Sequence, residues 1–277
     1  MIKRTAGIDV GSSAVKCVII DESSGNPKIV GRAVERIRRR SPADVASECY
    51  DSALAQAGLD REQIGYVATT GEGEAVDFRT GHFFSMTAHA RGALFLEPRA
   101  RAVLDIGALH GRAILMDDRS RVLAYRMTSQ CASGTGQFLE NIARYLGVAI
   151  DEIGELSCSA EKPEKCSSIC AVLAETDVIN MVSRGIKIPD ILKGIHLSMG
   201  GRFVKLLLST KATGCVLLTG GLAADCGLLA AVNECFIQEG ENLDVRTHPD
   251  SIHAGALGAA LWGSWRARVL AERGALV

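Results

Sequence analysis

Two stretches of the sequence share one arrangement of residues that suits phosphate chemistry. In the first, Asp9 is followed seven positions later by Lys16, and in the second, Asp105 is followed seven positions later by Arg112. Each aspartate ends an apolar run that predicts a strand, and an Asp-x-Gly turn leads into a returning strand. Backbone N–H groups in such a turn can bind an anion, and the aspartate can hold a hydrated Mg²⁺. The repetition predicts two phosphate-binding hairpins that serve one nucleotide.

A third segment of this kind lies late in the chain. Gly220 and Gly221 follow an apolar strand pattern at 215–219 and precede a helical pattern. A strand-to-helix turn of glycines lets the backbone approach a nucleotide, helped by the helix N-terminus. A plain tight turn is the alternative, but the two hairpins favour a nucleotide. The predicted catalytic residues are Asp9 and Asp105, and the predicted nucleotide-binding residues are Gly11, Ser12, Ser13, Lys16, Gly107, Gly220 and Gly221.

Cysteines are numerous in this chain. They are Cys17, Cys49, Cys131, Cys158, Cys166, Cys170, Cys215, Cys226 and Cys235. Their odd number, in a chain expected to be cytoplasmic, argues against a disulfide framework, and most are expected to be small buried apolar residues. Cys131 and Cys170 differ because they lie in polar, glycine-rich surroundings and each precedes a predicted helix. A helix N-terminus stabilises a thiolate, so these two cysteines are considered separately from the buried ones.

Bulk composition narrows the class of protein. The 277 residues carry a net charge of −1, which gives no reason to expect nucleic acid or an anionic membrane as a partner. The basic run at 36–40 is interpreted as an exposed strand end or loop. No apolar run reaches the roughly 18 residues of a membrane-spanning helix. Residues 2–4 lead straight into the first strand without the apolar stretch of a signal peptide, so we expect a cytoplasmic location.

The order of predicted elements indicates an α/β fold in two halves. Strands are expected within 4–21, 28–39, 64–69, 102–116, 122–127 and 215–219. Helices are expected at 42–57, 87–97, 138–146, from 170 onward, and at 189–208, 222–236 and 253–268. Pro98 marks the predicted boundary between an N-terminal domain, 1–98, and a C-terminal domain, 99–277, whose last helix can pack back on the first domain.

The motifs along the chain resemble those of the superfamily that includes acetate kinase, sugar kinases, Hsp70 and actin. More narrowly, the chain is similar to the ATPase family of 2-hydroxyacyl-CoA dehydratase activators and benzoyl-CoA reductase ATP-binding subunits. The resemblance spans almost the whole chain, with matching motifs at 7–16, 89–93, 131–136, 170–175, 219–223 and 255–259. The two cysteine motifs, which begin at Cys131 and Cys170, are the specific ones because sugar kinases and chaperones lack them.

The resemblance implies a pair of duplicated ribonuclease H-like (actin-like ATPase) domains, with ATP or ADP and Mg²⁺ in the cleft between them. It also implies that Cys131 and Cys170 ligate a [4Fe–4S] cluster. Because such a cluster takes four thiolates, one chain would supply two, and a second, homologous ATP-binding subunit would supply the others. ATP binding and hydrolysis would then change the angle between the helices and couple nucleotide state to electron transfer.

Two other interpretations of the cysteines stay open. Cys131 and Cys170 could be packing residues. Alternatively, they could form a single-chain site together with Cys158 and Cys166. The spacing of Cys158, Cys166 and Cys170, with seven residues and then three between them, matches no usual zinc or ferredoxin motif.

The second hairpin departs from the family pattern, in which activators usually read Asp-Ile-Gly-Gly-Gln-Asp. This chain has Ala108, Leu109 and His110 after the glycine. Asp105 and Gly107 keep the outline of a Mg²⁺–phosphate site, but the polar end of the turn is lost. His110 is either a donor to phosphate or a loop residue that faces solvent. The departure favours a hetero-oligomer in which two unlike ATP-binding chains share one cluster.

The leading hypothesis is therefore an electron-transfer subunit of a benzoyl-CoA-type reductase. The family resemblance implies that it receives electrons from reduced ferredoxin and passes them to substrate-reducing subunits, and the modest chain length resembles the smaller of the two ATP-binding subunits. A homodimeric activator of a 2-hydroxyacyl-CoA dehydratase is the closest alternative. A small-molecule kinase of the same fold also stays open, because Asp105 could be its base. The third alternative is a nucleotide-gated regulatory or chaperone-like module that takes no part in electron transfer.

Overall fold

The computed structural model describes residues 3–128, 135–166, 171–241 and 243–274. These residues form two compact units. The first unit comprises 3–98, 117–122 and 252–274, and the second comprises the described residues of 99–116 and 123–251. No helix within these ranges is long and apolar enough to cross a membrane.

The elements are numbered along the chain. The strands are β1 Arg4–Val10, β2 Ala14–Asp21, β3 Lys28–Arg36, β4 Tyr66–Gly71, β5 Gly81–His82, β6 Ala100–Ile106, β7 Gly111–Met116, β8 Val122–Met127, β9 Cys215–Thr219 and β10 Asp244–Arg246. The α-helices are α1 Pro42–Ala57, α2 Ser85–Leu96, α3 Gly136–Leu146, α4 Ile153–Cys158, α5 Ala171–Ser183, α6 Ile188–Ser209, α7 Cys226–Gln238 and α8 Ala254–Glu272.

Each unit is built on one mixed sheet, and the two sheets share a topology. The strand orders are β3-β2-β1-β4-β5 in the first unit and β8-β7-β6-β9-β10 in the second. The central strand β1 is antiparallel to β2 and parallel to β4, just as β6 is antiparallel to β7 and parallel to β9. This correspondence confirms the duplication that the two Asp-x-Gly stretches predict.

Helices cover both faces of the first sheet. Val15, Cys17 and Ile19 of β2 pack in one buried cluster with apolar residues of α1. Val18 and Ile20 of the same strand belong to a second cluster with residues of α8. Successive side chains of a strand point to opposite faces, so this continuous apolar run requires a helix on each side. Helix α2 packs against α8, and together these contacts fix the end of β1 in a buried setting.

The core of the second unit gathers β6, β7, β9 and the helices α3, α6 and α7. As the helical spacing predicts, Phe138, Leu139 and Ile142 of α3 are buried. Tyr145, which was predicted on the same apolar side, is 53% exposed. It lies in the last turn of α3, one residue before the helix ends at Leu146.

Helix α5 presents an apolar side that differs from the predicted one. Its buried side chains are Ala174, Val178 and Met181. The sequence predicts an apolar side made of Val172, Leu173, Val178, Ile179 and Val182. Val178 is buried as predicted, the side chain of Val172 lies outside the described part of the chain, and Leu173, Ile179 and Val182 are 47%, 48% and 43% exposed. Apolar residues occur on more than one side of α5, so the periodicity alone could not select the side that packs inward.

Most predicted elements are present, and those that sequence patterns missed are short. They are α4 and the strands β5 and β10, each too brief to show a period. Helix α1 has Pro42 in its first turn and is followed by Gly58, whose left-handed φ of 64° ends the helix as expected. Helix α7 begins later than expected because the Asp225 side chain caps it by accepting a hydrogen bond from Leu228 N.

Candidate functional site

The first hairpin sets Asp9 opposite Lys16. These residues are direct partners in the antiparallel register of β1 and β2, and both are buried. A hydrogen bond of 3.1 Å from Gly11 N to Ala14 O closes the turn between the strands. A Cβ placed on Gly11 would lie 3.3 Å from Lys16 Nζ, so the ammonium group lies beside this turn. A carboxylate, a cation and a glycine turn thus meet at one end of the hairpin.

The tip of this turn consists of Ser12 and Ser13, which are exposed. Ser13 O accepts a hydrogen bond of 2.9 Å from Ile37 N, which ties the turn to the end of the neighbouring strand β3. The hydroxyl groups and backbone of the tip are therefore accessible to an anion, while these hydrogen bonds hold the rest of the hairpin in place.

Helices α2 and α8 bring further groups to Asp9. His89 of α2 is buried, and its Nε2 lies 3.9 Å from Asp9 Oδ2. A Cβ on Gly255, in the first turn of α8, would lie 2.7 Å from both Asp9 Oδ2 and His89 Nε2. Glycine therefore permits the N-terminus of α8 to approach the carboxylate. Free N–H groups at a helix N-terminus favour negative charge, which suits a phosphate group as well.

His253, immediately before α8, is a polar group that the sequence analysis missed. It is buried, and neither ring nitrogen has a hydrogen-bond partner within the described residues. Burial, with the positive charges of Arg32 and Lys16, lowers the pKa of His253 to about 4. The imidazole is therefore neutral near pH 7. Its position just before the 255–259 motif is the sequence signal that could have identified it.

The second hairpin repeats this pairing with a different cation. Asp105 and Arg112 are direct partners in the register of β6 and β7, and Arg112 Nε lies 3.0 Å from Asp105 Oδ2. Asp105 is buried. The turn is closed by a hydrogen bond of 2.8 Å from Gly107 N to His110 O. Both predicted catalytic aspartates thus occupy the same position at the end of a central strand.

The late glycine turn lies against this second aspartate. Thr219 is the partner of Asp105 in the parallel register of β6 and β9, and Gly220 follows directly. Gly220 has φ of +88°, and a Cβ there would lie 2.5 Å from Asp105 Oδ1 and from Ile106 O. A Cβ on Gly221 would have no atom within 4 Å. The structure therefore brings Asp105, Gly107 and the glycine pair together within one unit.

The altered end of the second turn has its own geometry. Leu109 is 43% exposed. His110 is half-buried, and its Nδ1 is buried without a hydrogen-bond partner within the described residues. Gln137 N at the start of α3 donates a hydrogen bond of 3.0 Å to Ala108 O, so α3 is attached to this turn. The turn thus lacks acidic or amide side chains that could order water or metal.

The predicted cluster ligands Cys131 and Cys170 lie outside the described residues. The expectation that most cysteines are buried is confirmed for Cys17, Cys49, Cys215 and Cys235. Cys158 and Cys226 are exposed, and Cys166 is half-buried. In the described part of the chain, no group of three or more His, Cys, Asp or Glu residues is arranged to hold a metal ion.

These two aspartate sites fit a metal–nucleotide complex better than a metal ion alone. Mg²⁺ in nucleotide sites is commonly held by one or two carboxylates together with phosphates and water. Each hairpin offers a single buried aspartate beside a glycine turn, and a Cβ on Gly220 or Gly255 would occupy the space against that carboxylate. Within each unit, the aspartate could hold a hydrated ion and the glycine turn could hold a phosphate group.

Comparison with known proteins agrees with this geometry. The model of the BadF/BadG/BcrA/BcrD ATPase family matches residues 6–263. The chain belongs to this ATPase family. Among its relatives is the D-type subunit of benzoyl-CoA reductase from Thauera aromatica, which is 60% identical over 271 residues, covering 98% of this chain and 96% of that protein. The resemblance stated from the motifs is thereby confirmed.

Solved structures place this family member in the actin-like ATPase fold. The activator of the 2-hydroxyisocaproyl-CoA dehydratase from Clostridium difficile, with bound ADPNP, matches with a TM-score of 0.87 and 31% identity, over 98% of this chain and 97% of the other. A ROK family glucokinase from Streptomyces griseus matches with a TM-score of 0.57 and 13% identity, over 95% of this chain and 99% of the other. The second likeness is one of fold alone. The predicted fold class is confirmed.

Proposed function

We propose that this chain is the ATP-binding, [4Fe–4S]-containing electron-transfer subunit of an ATP-dependent benzoyl-CoA-type reductase. In this proposal, ATP hydrolysis is coupled to low-potential electron transfer from reduced ferredoxin to partner subunits that reduce the acyl thioester. The observation that carries the proposal is the 60% identity to the D-type benzoyl-CoA reductase subunit along 98% of the chain. A cytoplasmic location, without nucleic acid or membrane partners, is part of the same proposal.

The hairpins would bind the phosphate groups of ATP and ADP. In the first, the turn of Gly11, Ser12 and Ser13 offers N–H and hydroxyl donors, and Lys16 offers a cation that neutralises phosphate charge. Asp9 is the buried carboxylate that would hold hydrated Mg²⁺ or orient the attacking water. Mg²⁺ would neutralise charge that develops on the phosphates.

The second hairpin and the late glycine turn are the proposed nucleotide-binding parts of the second unit. Asp105 and Gly107 would repeat the roles of the first hairpin, with Asp105 held by Arg112 at 3.0 Å. Gly220 and Gly221 would let the backbone approach the adenosine portion of the nucleotide. The space beside Gly221, which a side chain would otherwise fill, contains no protein atom within 4 Å of a Cβ. Ala108-Leu109-His110 supplies no acidic group to this turn, so the second hairpin is expected to contribute more to binding than to hydrolysis.

The cluster would be shared with a second, homologous ATP-binding subunit. Cys131 and Cys170 are the proposed ligands from this chain, and two thiolates from the partner complete the set of four. A bound [4Fe–4S] cluster supplies one-electron redox chemistry at low potential. The chain's role is to hold two thiolates at positions that precede the helices α3 and α5, whose N-termini favour negative charge.

An apolar surface next to these helices supports the shared arrangement. Helices α3 and α5 border a groove of about 340 Å³ lined in part by Tyr145, Val178 and Ile179. Tyr145 and Ile179 are 53% and 48% exposed, and Leu173 on α5 is 47% exposed. Exposed apolar clusters of this kind commonly mark protein interfaces. This surface is the proposed contact for the second ATP-binding subunit.

A homodimeric activator of a 2-hydroxyacyl-CoA dehydratase is the second candidate. The TM-score of 0.87 to the Clostridium difficile activator favours it. The lower identity of 31% and the altered second turn favour the reductase subunit instead.

Anaerobic co-expression with a homologous ATP-binding subunit tests the proposal. We expect a complex that contains both chains, about four iron and four sulfide per pair, and ATP hydrolysis. Purification of this chain alone as an iron-containing dimer would support the activator instead. A colourless protein whose ATP turnover rises with a sugar would support the kinase and overturn the proposal.

A further inference from the structure

Two exposed cysteines from distant parts of the second unit lie side by side. Cys158 is the last residue of α4 and Cys226 the first residue of α7, and their Sγ atoms are 3.9 Å apart. Both side chains are exposed. A disulfide bond requires about 2.05 Å between the sulfurs, so an approach of roughly 2 Å would join them. None of the proposed ATPase or cluster residues is involved.

The helices that carry these thiols are held together closely. A Cβ on Gly154 of α4 would lie 2.9 Å from Asp225 Oδ1 and 3.0 Å from Cys226 Sγ. A Cβ on Gly227 would lie 2.8 Å from Gly154 O. Both positions therefore need glycine for α4 to contact the first turn of α7. Contact of this kind fixes where Cys226 stands relative to the end of α4.

A buried histidine fixes the residue next to each cysteine. His196 of α6 is fully buried; its Nδ1 lies 2.9 Å from Ser157 Oγ and its Nε2 lies 3.2 Å from Asp225 Oδ2. Burial raises the pKa of Asp225, but hydrogen bonding and the charge of His196 outweigh it, so the net pKa is below its ordinary value. Ser157 is also buried, which leaves it inaccessible as a nucleophile. The trio is therefore a structural link that positions the two thiols.

We propose that Cys158 and Cys226 form a dithiol modification site that undergoes reversible thiol–disulfide exchange with small-molecule disulfides. The Cys158 thiolate attacks one sulfur of a disulfide RSSR, forms a mixed disulfide and releases RS⁻. The Cys226 thiolate then attacks Cys158 Sγ and releases the second RS⁻. The two protein thiols lose two electrons to RSSR, and their two protons convert the released thiolates to two RSH.

Other cysteines of the described ranges are poorer candidates for this exchange. Cys17 and Cys49 are buried, and burial is the main cause that raises the pKa of each, to about 12 for Cys49. Cys235 is buried and donates a hydrogen bond to Leu197 O. Burial and the neighbouring Cys158 also raise the pKa of Cys226, so the exchange should become faster as pH rises through the range in which thiolates form.

The cross-link would change the stability of the unit that contains it. It would join residues 68 positions apart, and a disulfide that closes a long loop stabilises a fold mainly by restricting the unfolded chain. The oxidised protein should therefore melt several degrees higher than the reduced protein. Reduction with dithiothreitol should return the original melting temperature.

Peptide mapping of the full chain, co-purified with any bound partner, tests the site. The protein is treated anaerobically with oxidised glutathione, alkylated and digested with trypsin. Cys158 lies on the peptide 145–165, which has no other cysteine, whereas the peptide 212–246 holds Cys215, Cys226 and Cys235. We expect these two peptides to be linked, and the link to disappear in both Cys158→Ser and Cys226→Ser. Cys166→Ser is the control that should keep it.

Three results would overturn the proposal. They are free Cys158 and Cys226 after oxidation, a cross-link that persists in Cys226→Ser, or Cys158 joined to any other cysteine. Circular dichroism of the variants establishes that they are folded. An unfolded Cys226→Ser is replaced by Cys226→Ala, for which the same loss of the link is expected.

Discussion

Asp105 and Arg112 face each other across the second hairpin, with Arg112 Nε 3.0 Å from Asp105 Oδ2. Asp9 and Lys16 occupy the same register positions in the first hairpin. The two hairpins therefore share a backbone arrangement but differ in how the carboxylate is held. A fork-shaped guanidinium can engage a carboxylate directly, whereas the Lys16 ammonium lies beside the turn at Gly11. This difference leads us to assign hydrolysis chiefly to the first hairpin.

Replacement of each aspartate by asparagine tests that assignment. Asp9→Asn should lower ATP hydrolysis by about 100-fold or more, because the carboxylate that would hold Mg²⁺ or orient water is lost. Asp105→Asn should cause a smaller loss of hydrolysis and a weaker binding of ADP. Steady-state phosphate release and calorimetric ADP titration measure the two effects. Asp44→Asn, at an exposed position of α1, is the control. Equal losses in both hairpin variants would contradict the division of roles.

The neighbouring glycines of the late turn should respond differently to alanine. Gly220→Ala should lower the free energy of unfolding by about 2 kcal/mol or more, because φ is +88° and the Cβ would meet Asp105 Oδ1 at 2.5 Å. Gly221→Ala has open space and should change stability by less than about 0.5 kcal/mol. If the adenosine portion approaches Gly221, this variant should nevertheless bind ADP more weakly. Denaturant unfolding and ADP titration separate stability from binding, and an unchanged ADP affinity would remove Gly221 from the site.

Sequence patterns located the glycine turns well because each turn is a local feature of the chain. Asp-x-Gly turns and the Gly220-Gly221 pair can be located from strand endings, and the structure places them at the ends of β1, β6 and β9. Sequence patterns did not predict the burial of His253 or the contacts of His196 with Ser157 and Asp225. Both features arise because residues that are distant in sequence come together in the fold. The buried side of α5 escaped for a related reason, since apolar residues occur on several sides of that helix. Cys158 likewise meets Cys226 through packing of α4 on α7.

His253 should make stability depend on pH. Its pKa in the folded protein is lowered to about 4 from 6.5, so below pH 6.5 the unfolded chain binds a proton that the folded chain does not. The free energy of unfolding should therefore keep its full value above pH 6.5. It should fall by up to about 3 kcal/mol as the pH is lowered from 6.5 towards 4. His253→Gln should flatten this part of the curve in denaturant unfolding at several pH values. An unchanged slope between pH 6.5 and 4 would show that His253 is not its source.

The groove between α3 and α5 should be a contact for the second ATP-binding subunit. Ile179→Glu places a charge on this surface and should weaken the heterodimer by about tenfold or more, equivalent to about 1.4 kcal/mol. Ile237→Glu, at a site on α7 that is 77% exposed, is the matched control and should leave affinity unchanged. Analytical ultracentrifugation or surface binding with the purified partner measures the affinities. Equal affinity of the two variants would exclude this surface from the interface.

We propose that this chain couples ATP hydrolysis to electron transfer through cysteine-ligated iron. This proposal is tested most directly by the rate of benzoyl-CoA reduction from reduced ferredoxin, measured anaerobically in the purified complex with and without ATP. We predict reduction only with ATP, and loss of reduction in Asp9→Asn with its iron retained. Cys131→Ala and Cys170→Ala should lose both iron and reduction. Reduction that proceeds equally without ATP, or that persists in the cysteine variants, would contradict the account.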